Sequence, residues 1–194
     1  MASEVSICNV ALLRLGHDTI TSLSDATRGA RVMNGIYAET RDSLLRSHPW
    51  NFAVRRVDLA LLSDTPTFEF AYQFALPDDC LKVIRTEDEA AGSSYEYRIE
   101  GLSDGSRVLL YDSDTCGLEY IAQVTDPNQM DVSFRDAFAA RLAAEACMLL
   151  TQNATLAKNL WDAAELKLRM AMTADAQEGT PRDIIADEWV RARA

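Results

Sequence analysis

The sequence predicts a mixed α+β protein that is mainly α, with a four-helix bundle, an inserted small antiparallel β lobe and an extended C-terminal arm. Apolar residues recur at helical spacing in the first 45 residues and again from about residue 131 to 177. Between Pro66 and Thr125 the period shortens toward two, and polar turns separate the apolar runs. The predicted ranges are 1–60 and 128–178 for the helical bundle, 61–127 for the β-rich insertion and 179–194 for the arm.

The first two helices have local start and stop signals. Ser3 is expected to cap a first helix that ends near Gly16. Asp25 is expected to cap a second helix that runs to about Leu45. Pro49 ends this second helix, because the residue before a proline avoids the α region.

Two more helices are predicted in the last third of the chain. The third runs from about Asp131 to Thr151, and the fourth from about Thr155 to Gln177. Between the two helical halves, an antiparallel meander of four or five short strands is expected from alternating patterns and turn residues. The segments that carry these patterns are FEFAYQFAL, CLKVIRT, YEYRIE, RVLLY and LEYIAQV.

Composition limits the classes of function. Apolar residues make up 48 % of the 194 residues and charged residues 25 %, as in a globular protein with a core. The net charge of −11 disfavours a protein that grips nucleic acid through its phosphates. No membrane span or signal peptide is predicted. The four cysteines form no CxxC pair, and we expect them to be reduced and to pack as small hydrophobic residues.

Two motifs resemble catalytic signatures. Gly101, Ser103 and Gly105 fit G-x-S-x-G, but that motif needs a strand-to-helix elbow and a later histidine, so a hairpin turn is favoured. Asp112 and Asp114 follow an apolar strand, as in phosphatases that hold Mg²⁺ beside two carboxylates. An exposed turn between antiparallel strands is the favoured interpretation, and no catalytic residue, metal or cofactor is predicted.

The segment LLRSHPWNFAVRR combines aromatic and basic residues at the end of the second helix. Trp50 and Phe52 are predicted to be structural, closing the end of the bundle where it meets the β lobe. The basic residues of the segment are predicted to pair with acidic residues of a neighbouring chain. These residues are Arg46, Arg55 and Arg56.

Several blocks occur in an order that is similar to one protein family. They are ICNVALLRLG, ARVMNGIYAETRDSLLRSHPWNFAVRR, FAYQFALPDDCLKVIR, YIAQVTDPNQMDVSFRDAFAARLAAEA and LWDAAELKLRMAMTADAQEG. With them the chain resembles the tail tubular protein A, or head-to-tail adaptor (connector), of short-tailed bacteriophages. The likeness covers nearly the whole chain, and its most specific pieces are RDxLLRxHPWNFA and ALPDDCLKV.

The resemblance implies a structural virion protein without catalytic activity. Such adaptors form a ring, usually of twelve subunits, between the portal protein and the tail nozzle, which is made of a tail tubular protein B-like partner. The ring extends a channel through which DNA passes without specific binding during ejection. The expected location is the virion tail, after synthesis in the cytoplasm of the bacterial host. Two alternatives stay open: a small Mg²⁺-dependent phosphatase or hydrolase that uses Asp112 and Asp114, and a generic helical adaptor that binds a cellular protein.

The C-terminal segment TPRDIIADEWVRARA keeps apolar anchors and arginines, which are enriched at protein interfaces. It is predicted to be an arm that orders against the portal or an adjacent subunit. The alternative is that it folds back on its own bundle. The interface residues predicted here are Ile184, Ile185, Trp189, Arg191 and Arg193.

Overall fold

A computed structural model describes residues 1–90 and 96–179 of the chain. The fold is mixed α+β, with 45 % of the described residues in helices and 19 % in strands, which confirms the predicted mixed class with more helix than strand. The helices are α1 (Glu4–Arg14), α2 (Arg28–Ser47), the one-turn α3 (Glu87–Ala90), α4 (Val132–Thr151) and α5 (Ala154–Gln177). The strands are β1 (Val54–Asp58), β2 (Ala60–Leu61), β3 (Tyr72–Ala75), β4 (Cys80–Thr86), β5 (Arg98–Gly101), β6 (Arg107–Tyr111) and β7 (Gly117–Ala122).

A side-chain cap begins each of the four longer helices. The Ser3 hydroxyl accepts the N–H of Ser6 at the start of α1, and Gly16 follows the helix with φ +71°, in the left-handed region that favours glycine. Asp131 caps α4, where its carboxylate accepts the N–H of Ser133 at 2.7 Å. The predicted caps at Ser3 and stop at Gly16 are confirmed.

The predicted cap at Asp25 is wrong. Thr27 is the N-cap of α2, and its hydroxyl accepts the N–H of Ala30 at 3.1 Å. The Asp25 carboxylate instead accepts the N–H groups of Thr21 and Ser22 and closes the preceding loop. Short polar side chains compete for nearby backbone groups, and here the loop amides are the ones that Asp25 reaches.

The strands form two antiparallel sheets, with the orders β1-β7-β4 and β2-β3-β6-β5. The expected meander is therefore wrong, because β7 pairs with β1 and β4, which lie far from it in the chain. The sequence did not predict β1 as a strand, because four of its five residues are exposed and show no alternation of apolar and polar residues. Strand pairing also begins at residue 54, inside the range 1–60 that the sequence assigns to the helical part.

Helix α4 lies at the centre of the helical layer. Helices α1, α2 and α5 all pack against it, and among the described helices α5 packs on α4 alone. A main core joins these helices to the sheet of β1, β7 and β4 through Trp50, Ile121 and Val124. A second core lies between the two sheets, around Phe74 and Tyr111. Within the described ranges, no helix is long and apolar enough to cross a bilayer.

Candidate interaction site at the helix–sheet junction

The turn after α2 carries Trp50, the largest fully buried side chain among the described residues. His48 is extended (φ −145°, ψ 145°), as expected before Pro49. The turn brings Trp50 inward, and its side chain is only 1 % exposed. The indole Nε1–H donates to the Leu44 carbonyl at 3.0 Å, so the polar atom of this large ring is satisfied.

Phe52 and Phe134 complete an aromatic cluster around Trp50. The ring of Phe134, from α4, meets Trp50 edge-on at a centroid distance of 4.9 Å and Phe52 at 5.1 Å. Phe52 is half-buried against the main core. The cluster joins the end of α2 to α4, where the sequence predicts that Trp50 and Phe52 close the end of the helices.

The last turn of α5 is tied to the same turn by Asp175, which is 8 % exposed. One carboxylate oxygen accepts the N–H of Asn51 at 3.0 Å, and the other lies 3.2 Å from His48 Nε2. The Asn51 side-chain amide donates to the carbonyl of Asp175 at 2.7 Å. Sequence reasoning missed Asp175, because its partners lie 124 and 127 residues away and nothing local marks it.

The two most specific blocks of the sequence resemblance meet at the end of β7. From HPWNFA, the carbonyl of Ala53 accepts the N–H of Ala122 at 2.8 Å. From ALPDDCLKV, the carbonyl of Asp79 accepts the N–H of Gln123 at 2.7 Å. The hydroxyl of Tyr120 also donates to the Asp79 carboxylate at 3.1 Å. Both blocks thus fix the junction between helices and sheets from opposite sides of one strand.

Two of the predicted interface arginines are exposed and bind backbone carbonyls of their own chain. Arg46 donates to the carbonyl of Leu81, which links the end of α2 to β4. Arg55 donates to the carbonyls of Phe52 and Val54 at 3.0 and 3.2 Å. These bonds hold the guanidinium groups close to the junction, and pairing with a neighbouring chain stays a prediction.

The third arginine, Arg56, belongs to a charged group on the sheet. Its guanidinium lies 3.4 Å from the carboxylate of Glu119, while its side chain is 75 % exposed. Glu119 is buried on the central strand β7 and also accepts a hydrogen bond from Arg85. A cleft of about 320 Å³ opens beside these residues and reaches Asp58 at the end of β1. The sequence analysis did not identify Glu119 or Arg85.

The residues of the hydrolase alternative lie in turns between antiparallel strands. The carboxylate of Asp112, directly after β6, accepts the N–H of Ala71 at 3.0 Å, and Asp114 is exposed. Ser103 lies in the β5–β6 hairpin, whose turn includes Gly105 at φ +88°. The hairpin predicted for the G-x-S-x-G segment is confirmed.

Potential metal ligands are dispersed in the part of the chain that the structure describes. No group of three histidine, cysteine, aspartate or glutamate residues there could hold a metal ion. Apart from Gly179, the predicted arm lies outside the described residues. Its predicted interface residues there are Ile184, Ile185, Trp189, Arg191 and Arg193.

Comparison with protein-family models and with curated proteins gives no match to this chain.

Proposed function

We propose that the chain is the head-to-tail adaptor of a short-tailed bacteriophage, a virion protein that forms a ring between the portal protein and the tail nozzle. The observation that carries the proposal is the order of the resembling blocks along nearly the whole chain. The two most specific blocks, RDxLLRxHPWNFA and ALPDDCLKV, each make a backbone hydrogen bond to the end of β7, through Ala53 and Asp79. The resemblance therefore rests on residues that build a scaffold.

In this proposal the four long helices act as a bundle that builds the ring and docks to the portal, and the β lobe faces the nozzle. Exposed apolar side chains on the outer helices support a role in assembly. Leu166 and Met170, four residues apart on α5, are 56 % and 64 % exposed. Leu13 of α1 is exposed as well. Two exposed apolar side chains one turn apart on α5 lie on the same helix face and offer a candidate contact surface.

The charge of the chain is compatible with a DNA channel. Each subunit has a net charge of −11, and a ring of about twelve repeats this charge around one axis. A negative lumen repels phosphates, so DNA slides through without specific binding.

We further propose that the protein is not an enzyme. A phosphatase that uses Asp112 and Asp114 would present both carboxylates at the carboxyl edge of a parallel sheet. Here both follow a strand that pairs antiparallel with β3 and β5, and Asp112 already accepts a backbone N–H. Ser103 lies in a hairpin rather than a strand-to-helix elbow, and no histidine follows it, as the G-x-S-x-G arrangement requires.

The role of the arm can be tested with a chain truncated after Gly179. Far-UV circular dichroism would measure folding, and co-sedimentation with the portal protein of the same virus would measure assembly. The expected result is normal folding with lost or strongly weakened portal binding. A full-length Trp189→Ala variant serves as the control that removes one anchor and keeps the chain length. A collapsed fold, or unimpaired assembly, would contradict the arm.

A further inference from the structure

Strand β1 is an edge strand with open hydrogen-bonding groups. It pairs only with β7 among the described strands, and its register from Val54 to Asp58 is continuous. Four of its five residues are exposed. An edge of this kind is a template for another strand unless the protein covers it.

The ladder shows which backbone groups face away from β7. Leu59 donates to Cys116, and Ala53 accepts from Ala122, so the odd-numbered residues of this segment bond to β7. In an antiparallel pair the residues between them direct their N–H and C=O groups outward. Those residues are Val54, Arg56 and Asp58.

Val54 is already satisfied. Its N–H donates to the carbonyl of Trp50 at 3.0 Å, and its carbonyl accepts the Arg55 guanidinium at 3.2 Å. Among the described residues, the outward N–H and C=O groups of Arg56 and Asp58 have no hydrogen-bond partner. Two residues therefore offer four groups to an incoming strand.

The opposite edge of the same sheet is protected by the means that proteins commonly use. Strand β4 has register irregularities between Cys80 and Lys82 and between Val83 and Arg85, and it packs against α2 and α3. Bulges and covering helices both block edge pairing. Within the described residues, strand β1 has neither a bulge nor a covering helix, and Arg55 and Arg56 place positive charge on this edge.

Those charges become complementary when a second copy of the strand approaches. In a two-fold antiparallel pair centred on Val57, Arg56 lies opposite the partner's Asp58, and Asp58 lies opposite the partner's Arg56. Both are hydrogen-bonded pairs, because both residues direct their backbone groups outward. Opposite charges across a ladder stabilise it, and like charges destabilise it.

The registers centred on Arg55, Arg56 and Asp58 are all repulsive. Centring the pair on Arg55 or on Arg56 places an arginine opposite its own copy, and centring it on Asp58 places two carboxylates together. The register on Val57 also buries the central side chain, which is 38 % exposed in the single subunit, against its copy. Charge complementarity and the outward direction of the backbone groups therefore favour the register on Val57.

We propose that two copies of the free protein associate through β1 in this register and form a continuous six-stranded sheet. The proposal is independent of the adaptor function. A two-fold pair closes on itself and cannot propagate around a ring. The dimer would therefore be a state of the unassembled protein, and it would cover Arg55 and Arg56 until assembly.

Charge reversal tests the pairing. Sedimentation velocity of the full chain, from low micromolar to millimolar concentration, should show a shift from 21.5 kDa toward twice that mass. Arg56→Asp places acid opposite acid, and Asp58→Arg places arginine opposite arginine, so each variant alone should stay monomeric. Mixed in equal amounts, the two variants should form a heterodimer, because every facing pair is then opposite in charge.

The control is Asp18→Arg, which makes the same charge change as Asp58→Arg but at an exposed residue after α1. It should leave the dimer intact. Circular dichroism checks that each variant is folded. We expect folded variants, because Glu119 keeps its ion pair with Arg85 when Arg56 is replaced. A wild-type protein that is monomeric throughout the range would overturn the proposal. So would a dimer that either single variant leaves unchanged, or a mixture that forms no heterodimer.

Discussion

Replacement of Trp50 by alanine should destabilise the subunit strongly. The side chain is 1 % exposed, and its ring contacts His48, Phe52 and Phe134 at centroid distances of 4.8–6.1 Å. Truncation of a buried aromatic side chain typically costs about 3–5 kcal/mol. The lost hydrogen bond to the Leu44 carbonyl accounts for about 1 kcal/mol of this, because the Ser47 hydroxyl still donates to that carbonyl.

Urea unfolding followed by circular dichroism measures the change in the free energy of unfolding. Trp50→Phe keeps an aromatic ring and loses the indole donor, so its expected cost is about 1–2 kcal/mol. Trp161→Ala is the matched control. Trp161 is half-buried and stacks on the Arg141 guanidinium at 4.1 Å, a contact worth about 0.5–1 kcal/mol. A cost for Trp50→Ala below about 1 kcal/mol would refute the packing argument for the junction, since it lies below the range for buried aromatic truncations.

Three further predictions concern single groups. Burial raises the pKa of Asp131. Hydrogen bonds from the N–H and hydroxyl of Ser133 lower it by more, so the folded pKa is below the ordinary 3.8. Its contribution to stability is therefore present above that value and is lost as the pH falls through the folded pKa, and Asp131→Asn should reduce the acid dependence of urea unfolding. Burial raises the pKa of Cys8 to about 12 and of Cys116 to about 11, so a thiol reagent should modify them only after denaturant is added; rapid labelling of the native protein would contradict this. Asp112→Asn should leave portal binding and the result of a Mg²⁺-dependent phosphatase assay unchanged from wild type. A wild-type phosphatase activity that this variant loses would favour the hydrolase.

The sequence predicts those elements whose signals are local. Ser3 was predicted as a cap, and the start of α4 was placed near Asp131, because an N-cap side chain bonds to amides two or three residues away. Pro49 likewise fixes the end of α2 through its effect on one neighbour. Asp25 could bond either to amides of the following helix or to those of the preceding loop, and the sequence does not decide between them. In the structure it accepts the N–H groups of Thr21 and Ser22 in the loop.

Features that depend on contacts between distant parts of the chain could not be predicted from the sequence. The place of β7 between β1 and β4 follows from burial of both sheet faces, which no local period reveals. At the candidate site, the burial of Trp50 follows from its size and apolar character. Asp175 and Glu119 were missed, because an acidic residue on a polar helix or strand gives no sign of a partner far along the chain.

Electron microscopy of the purified protein, alone and mixed with the portal protein of the same virus, tests the adaptor proposal most directly. The account predicts rings of about twelve subunits stacked coaxially on the portal, with a continuous central channel. Particles no larger than a dimer in both samples, with portal rings left bare, would contradict it.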